Sequence, residues 1–163
     1  MESGSTPATV PHVRSCTKEL PGGWVCGTSR TEAGLWAYNV LTNELKDLGS
    51  AAVASQTYIA SIDADPTGRY LYYIPGAHGG ANRDGTPVVQ YDTKTGKKKV
   101  LCFLYQHFWD KYEYCLDGSF GSAVDEKGER IFISWDGWRK GTPRAWETTT
   151  VTVVHIPESE RRP

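Results

Sequence analysis

The sequence has little of what helical, membrane or nucleic-acid-binding proteins require. Its 163 residues include one methionine against nine tyrosines and six tryptophans, a balance that suits sheets rather than a helical bundle. The formal net charge is -1, so no overall field favours nucleic acid or an anionic membrane. No stretch approaches the roughly 20 apolar residues of a membrane span. Residues 1–10 lack the basic start and apolar core of a signal peptide.

Motifs for metal binding and catalysis are also missing. The four cysteines form no C-x-x-C, which argues against a zinc ribbon or a thioredoxin-like site. No G-x-S-x-G, P-loop or G-x-G-x-x-G occurs, and the run at 82–85 has too few carboxylates for a calcium loop. We therefore predict no cofactor, no metal site and no catalytic residue that can be named.

The cysteines leave two states open. Cys16 and Cys26 are close in sequence, as are Cys102 and Cys115, so each pair suits a local disulfide in an oxidising compartment. Four reduced, half-buried thiols are the equal alternative. The cysteine count and the richness in Trp and Tyr favour export, periplasmic or secreted, of a longer parent protein whose signal would lie upstream.

Two sequence patterns recur along the chain. Residues 61–73 are echoed by 122–133, and both are typical of a strand, an Asp-to-Gly turn and a second strand. Residues 35–44 are echoed by 88–97, again as strand, turn and strand. The echoes lie roughly 50–60 residues apart, which is the period of blade-like repeats. The sequence therefore predicts an all-β fold.

The order of the echoes predicts a partial β-propeller of two to three four-stranded antiparallel blades. A blade has strands A to D from the centre outward, and the expected blades cover about 13–54, 57–105 and 118–157. The pattern leaves open whether a strand A of the first blade precedes residue 24, near 13–18. The last blade ends after strand C and lacks its outer strand. We expect residues 1–12 to be flexible and 158–163 to form a polar tail.

These motifs resemble those of bacterial TolB-like, WD40-like and YVTN-type β-propellers. The segments 65–72, DPTGRYLY, and 125–132, DEKGERIF, look like the family's turn between strands A and B. The segment 91–96, YDTKTG, looks like its turn between strands C and D. The resemblance covers about residues 20–157 and implies the fold. Propellers of this kind serve as binding scaffolds and, in some branches, as enzymes, so it implies no single function.

The long loops of the predicted blades lie on one face and hold the candidate site. They cover 75–86, 105–115 and 136–147, and long loops on a rigid scaffold are where function is usually carried. Their aromatic rings and guanidinium groups suit an acidic carbohydrate. The alternative is that the loops pack on one another and use these aromatics as a local core. The candidate ligand-binding residues are His78, Arg83, Asp84, His107, Trp109, Tyr112, Trp138, Arg139, Arg144 and Trp146.

The sequence thus favours a non-catalytic binding or interaction module whose partner is a carbohydrate or another protein. The alternative is a fragment of a propeller enzyme, a polysaccharide lyase or a hydrolase or lactonase, whose other blades are missing. A convergent set drawn from His78, His107, Asp84 and Asp136 would favour the enzyme. A three-blade arc leaves its end faces open, so missing blades or self-association are expected to close the ring.

Overall fold

The computed structural model describes residues 12–30, 32–143 and 148–162, and within them eleven strands form three antiparallel sheets. The first sheet has four strands in chain order, and the second has four more. The first consists of β1 (Val13–Cys16), β2 (Trp24–Ser29), β3 (Gly34–Asn39) and β4 (Leu45–Ser50). The second consists of β5 (Ile62–Ala64), β6 (Tyr70–Tyr73), β7 (Pro87–Asp92) and β8 (Lys97–Phe103). We call these sheets blades 1 and 2.

The third sheet, blade 3, has three strands within the described residues and lacks a fourth on its outer side. It consists of β9 (Tyr114–Val124), β10 (Arg130–Arg139) and β11 (Thr148–His155). Over the described residues the three sheets do not close into a ring, as is expected of a partial β-propeller. The fold predicted from the repeats is therefore confirmed. The open question of a strand A before residue 24 is answered by β1, which pairs with β2 from Val13 to Cys16.

One predicted loop is a helix. Residues 105–115 were expected to connect strand D of blade 2 to blade 3, but Tyr105–Tyr112 forms α1 and β9 begins at Tyr114. Glu113 takes a left-handed conformation, φ 50°, and ends the helix. Eight residues are too short for a clear helical pattern, and helices of this length are stabilised mainly by packing. Here Phe108 packs against the core between blades 2 and 3.

The second correction concerns 136–147, expected as a long loop. β10 continues to Arg139 and β11 begins at Thr148, so the strands take up part of it. The strand was predicted to end at residue 135, before the loop. The alternating burial along β10 continues past that point, with Trp135 and Gly137 both buried, and this explains the extension. Gly137 allows close approach, since a Cβ there would lie 2.0 Å from the carbonyl oxygen of Cys115.

Two hydrophobic cores lie between successive blades. The first joins blades 1 and 2 and includes Leu35, Ile59 and Tyr73. The second joins blades 2 and 3 and includes Tyr72 and Trp135. Side chains of a strand point alternately to opposite faces. The adjacent tyrosines of β6 therefore belong to different cores, and blade 2 supports both of its neighbours.

The chain's C-terminal part packs on blade 2. Residues Glu158–Arg161 form one helical turn, α2, within the segment expected as a polar tail. The side chain of Gln90 donates a hydrogen bond of 2.7 Å to the carbonyl oxygen of Glu160, and the Tyr70 hydroxyl donates one of 3.0 Å to that of Arg162. These bonds connect α2 to strands of the middle blade.

All four cysteines lie in the described part of the chain, and no disulfide joins them. Cys26 and Cys115 are buried, whereas Cys16 is exposed. Burial raises the pKa of the Cys26 thiol to about 11. Among the described residues, no helix has both the length and the apolar character to cross a membrane.

Candidate functional site

The connection from β6 to β7 covers the long-loop end of blades 2 and 3. The Gly80 N–H donates a hydrogen bond of 2.9 Å to a carboxylate oxygen of Asp117 in β9. The Thr86 hydroxyl donates one of 3.2 Å to the carbonyl oxygen of Leu116. Asp117 and Thr86 are both fully buried. The connection is therefore bound to the neighbouring blade over its length.

Two predicted site residues of this connection differ in environment. The carboxylate of Asp84 accepts hydrogen bonds from the Ser55 hydroxyl, at 2.9 Å, and from the Gln56 N–H, at 3.0 Å. It joins the connection to the segment that leads into blade 2. Arg83, the preceding residue, is exposed. Asp84 thus stabilises the loop, and Arg83 faces solvent.

His78 lies in a cluster of rings. Its own ring centroid lies 4.9 Å from that of Tyr58, and 5.2 Å from that of Phe120 in an edge-on contact. Its Nε2 accepts a hydrogen bond of 2.9 Å from the guanidinium of Arg14 in β1. The backbone at His78 is left-handed, with φ 62°. All three blades contribute to this contact.

A groove of about 480 Å³ separates α1 from β11. Phe108 and Tyr112 of α1 line one side, and residues 148–153 of β11 line the other. Tyr114 and Arg139 complete the lining. Four of the six β11 residues are threonines, so hydroxyl groups, aromatic rings and one guanidinium meet in the same space. The groove follows the edge of β11 that has no neighbouring strand among the described residues.

The aromatic residues of α1 are held in place by one another. Tyr105 and Trp109 stack with centroids 6.1 Å apart. His107 meets Phe108 edge-on at 5.5 Å and Tyr112 at 6.1 Å. Tyr112 is 48% exposed, so its ring remains accessible from the groove.

Tyr114 forms the floor of the groove beside Arg139. Its hydroxyl donates a hydrogen bond of 2.6 Å to the carbonyl oxygen of Thr148 in β11. Burial raises the pKa of Tyr114, which keeps the hydroxyl protonated and therefore a donor. The bond connects β9 to the start of β11 across the groove. The groove thus has a fixed floor and one exposed cation.

The structure brings only some of the predicted residues together. Tyr112 and Arg139 line the groove, and His107 contacts Tyr112 beside it. His78 belongs to the separate ring cluster, and Asp84 is bound to Ser55 and Gln56. Trp109 stacks on Tyr105 within α1. Trp138 is half-buried and does not line the groove. Arg144 and Trp146 lie outside the described residues.

Sequence reasoning missed several residues of the groove and of the ring cluster around His78. Phe108 and the threonines of β11 line the groove, and Arg14, Tyr58 and Phe120 surround His78. The threonine run at 148–150 was visible as a strand pattern, but nothing local indicated that it faces α1. In the described part of the chain, no three His, Cys, Asp or Glu side chains are grouped to hold a metal ion.

Comparison with known proteins agrees with this geometry. The structure matches a putative TolB from Agrobacterium tumefaciens with a TM-score of 0.56 and 10% identity, over 93% of this chain and 47% of that one. It matches the Myceliophteria thermophila Cps50 (Swd1) β-propeller domain with a TM-score of 0.52 and 11% identity, over 96% and 43%. The chain has a partial β-propeller fold.

A third similar structure is a nidogen/laminin complex chain, with a TM-score of 0.55 and 12% identity, over 85% of this chain and 47% of that one. The chain thus spans less than half the length of each of these three structures. No family model and no curated protein sequence matches it. At such low identity the likeness shows the fold alone.

Proposed function

We propose that this chain is a non-catalytic binding module and that the groove between α1 and β11 receives an acidic carbohydrate. The observation that carries the proposal is the meeting of Tyr112, Arg139 and the β11 threonines in one groove of about 480 Å³. Sugars stack their apolar face on aromatic rings and exchange hydrogen bonds with hydroxyl groups. A guanidinium binds a carboxylate with two parallel hydrogen bonds.

The size and the polarity of the groove support this ligand class. Ligand pockets are usually about 300–1,000 Å³ in volume, and this groove falls within that range. Arg139 is exposed, and the structure contains no ion pair between it and a carboxylate of the described residues. Its charge is therefore available to an acidic ligand.

The test is calorimetric titration of the purified chain with tri-galacturonic acid and with its methyl ester, which lacks the negative charge. We expect R139Q to weaken binding of the acid at least tenfold and Y112A to weaken both ligands. K127Q is the matched control, because it removes a positive charge from an exposed turn of blade 3 away from the groove. Equal binding of acid and ester, or no binding by the wild type, contradicts the proposal.

The enzyme alternative depends on a convergent set of acids and bases. Among the residues considered for it, Asp84 has both carboxylate oxygens bonded to the Ser55 hydroxyl. His78 is bonded to Arg14, and His107 lies on α1 against Phe108 and Tyr112. Each of the three side chains thus has different partners, which favours structural roles at separate places. Binding therefore fits the arrangement better than acid/base catalysis.

A second candidate function is assembly into a closed ring with a second copy of the chain. The outward face of blade 3 carries Val151, 64% exposed, and Val153, 55% exposed, and Val153 pairs with Phe132. On the outward face of blade 1, the Trp36 indole N–H is buried without a hydrogen-bond partner. Since the chain spans slightly less than half of each of two similar solved structures, two copies supply about the length of one. The exposed valines on the outward face of blade 3 indicate a surface that a partner covers.

The solution mass by light scattering over a range of concentrations tests assembly. We expect a dimer that the double variant V151K/V153K converts to a monomer. L41K is the control, because Leu41 is 74% exposed in a turn of blade 1. A monomer at every concentration argues that other blades, not a second copy, cover these faces. Loss of the dimer in L41K as well would mean that general solubility, not the blade face, determines the mass.

A further inference from the structure

The ring cluster around His78 contains a positive charge that no acidic side chain of the described residues balances. The guanidinium carbon of Arg14 lies 4.7 Å from the centroid of the Tyr58 ring. One guanidinium nitrogen donates to Nε2 of His78 at 2.9 Å. Among the described residues, no ion pair involves Arg14, and its Nε is buried without a hydrogen-bond partner. Partly buried charges are normally paired, because unpaired ones cost solvation energy.

The protonation pattern of the cluster follows from this geometry. Arginine only donates hydrogen bonds and remains charged at any physiological pH. The Nε2 atom of His78 must therefore accept, which places the imidazole hydrogen on Nδ1 and leaves the ring neutral. The net charge of the Arg14 and His78 pair is +1. His78 is exposed, so the pair can be reached from solvent.

The walls of the cluster are aromatic. Tyr58 lies under the guanidinium, and Phe120 of β9 meets the His78 ring edge-on at 5.2 Å. A cation stacked on an aromatic ring keeps its in-plane N–H groups directed outward along the ring edge. A planar anion can then bond to those groups while its own apolar part contacts the rings. This combination selects an organic carboxylate over a hydrated inorganic ion.

From these observations we propose a second binding site, formed by Arg14, Tyr58, His78 and Phe120, for the carboxylate of an organic acid. The site is separate from the groove between α1 and β11, since these two sets share no residue. It draws on β1, on the segment before β5, on the connection from β6 to β7 and on β9. All three blades must therefore be in place for the site to exist.

The probe is benzoate, with benzamide as the uncharged analogue of the same shape. Long-range ¹H–¹⁵N spectra of the histidine side chains follow the titration in the wild-type chain. We expect benzoate to shift the His78 signals and to leave those of His107 and His155 in place, and benzamide to shift none. Addition of 0.5 M NaCl should weaken the interaction, because salt screens an exposed charge pair. No shift at His78, or equal shifts with benzamide, overturns the proposal.

Variants separate the charge from the fold. R14Q should reduce benzoate affinity at least tenfold, whereas R83Q, which removes an exposed arginine from the same end of the blades, should leave it within twofold. R14K is the second variant, because it keeps the charge and loses the planar fork, and it should give an intermediate affinity. Unchanged binding in R14Q overturns the proposal. R139Q should not affect benzoate, so failure of this site and failure of the groove are distinguishable.

Discussion

The indole N–H of Trp135 donates a hydrogen bond of 2.8 Å to the hydroxyl oxygen of Thr152. Trp135 is 1% exposed and Thr152 is 3% exposed, so water cannot replace either partner. The bond joins β10 to β11 on the side that faces blade 2. It holds the last strand against the second core, although that strand has a neighbour on one side only among the described residues.

Removing the hydroxyl of Thr152 should therefore destabilise the protein. T152V keeps the side-chain shape but leaves the buried indole N–H without an acceptor, and we expect the free energy of unfolding to fall by about 1–3 kcal/mol. T150V is the control on the same strand, because Thr150 is only half-buried. It should change the free energy of unfolding by no more than about 0.5 kcal/mol. Urea unfolding measures both. Equal effects of the two variants would contradict the role of the bond.

The carboxylate of Asp125 should make stability depend on pH. It accepts a hydrogen bond of 2.9 Å from the Arg130 side chain, and bonds from the backbone N–H groups of Glu129 and Arg130. The Arg130 bond, followed by the backbone bonds, lowers the pKa of Asp125. A lowered folded-state pKa stabilises the fold above the unfolded-state pKa, and this contribution disappears as pH falls through the folded-state value.

The measurement is urea unfolding of wild type and D125N between pH 7 and pH 2.5. We expect the wild type to be more stable at pH 7 and the two curves to converge in acid. E126Q removes an exposed carboxylate from the same turn and should follow the wild type throughout. A constant difference between wild type and D125N at every pH would show that the charge of Asp125 does not contribute.

Gly137 should tolerate no side chain. A Cβ there would lie 2.0 Å from the carbonyl oxygen of Cys115 and 2.9 Å from the Tyr114 ring, so β9 and β10 would have to separate. We expect G137A to lower the free energy of unfolding by about 1–3 kcal/mol or more. G121A is the matched control on β9, because a Cβ there meets only the Ser134 hydroxyl, at 3.3 Å. Equal melting temperatures for the two variants would show that the sheet adapts.

Burial should protect Cys26 from alkylation. Its pKa is raised to about 11 by burial, and it lies in the core between blades 1 and 2. Iodoacetamide reacts with the thiolate. At pH 8 we expect rapid labelling of the exposed Cys16 and labelling of Cys26 only in denaturant. Peptide mass spectrometry measures the labelling of each cysteine. Equal labelling rates in the native protein would mean that the first core opens readily.

Local turn chemistry could be predicted from sequence. Asp65 accepts a hydrogen bond of 2.7 Å from the Tyr70 N–H, and Asp125 accepts its bonds from residues four and five positions later. Each of these contacts spans at most five residues, so the same short motif reproduces it in both blades. The repeats and the strand order follow from such motifs.

Contacts between distant segments could not be predicted. The groove requires α1 to lie beside β11, and Tyr114 reaches Thr148 across 34 residues. His78 was a candidate from its glycine-flanked loop, but its partner Arg14 lies 64 residues away. Neither contact follows from a repeat pattern, because the pattern predicts the strands within a blade and not which side chains of different blades meet.

The adjacent tyrosines of β6 have a consequence for how the protein opens. Tyr73 packs in the first core and Tyr72 in the second, so the middle blade has a buried face on both sides, whereas each end blade has one. In a linear array, stability propagates between nearest neighbours, and the ends fray first. Amide hydrogens of β6 and β7 should exchange last, while those of β4 and β11 exchange through local opening that leaves the centre folded.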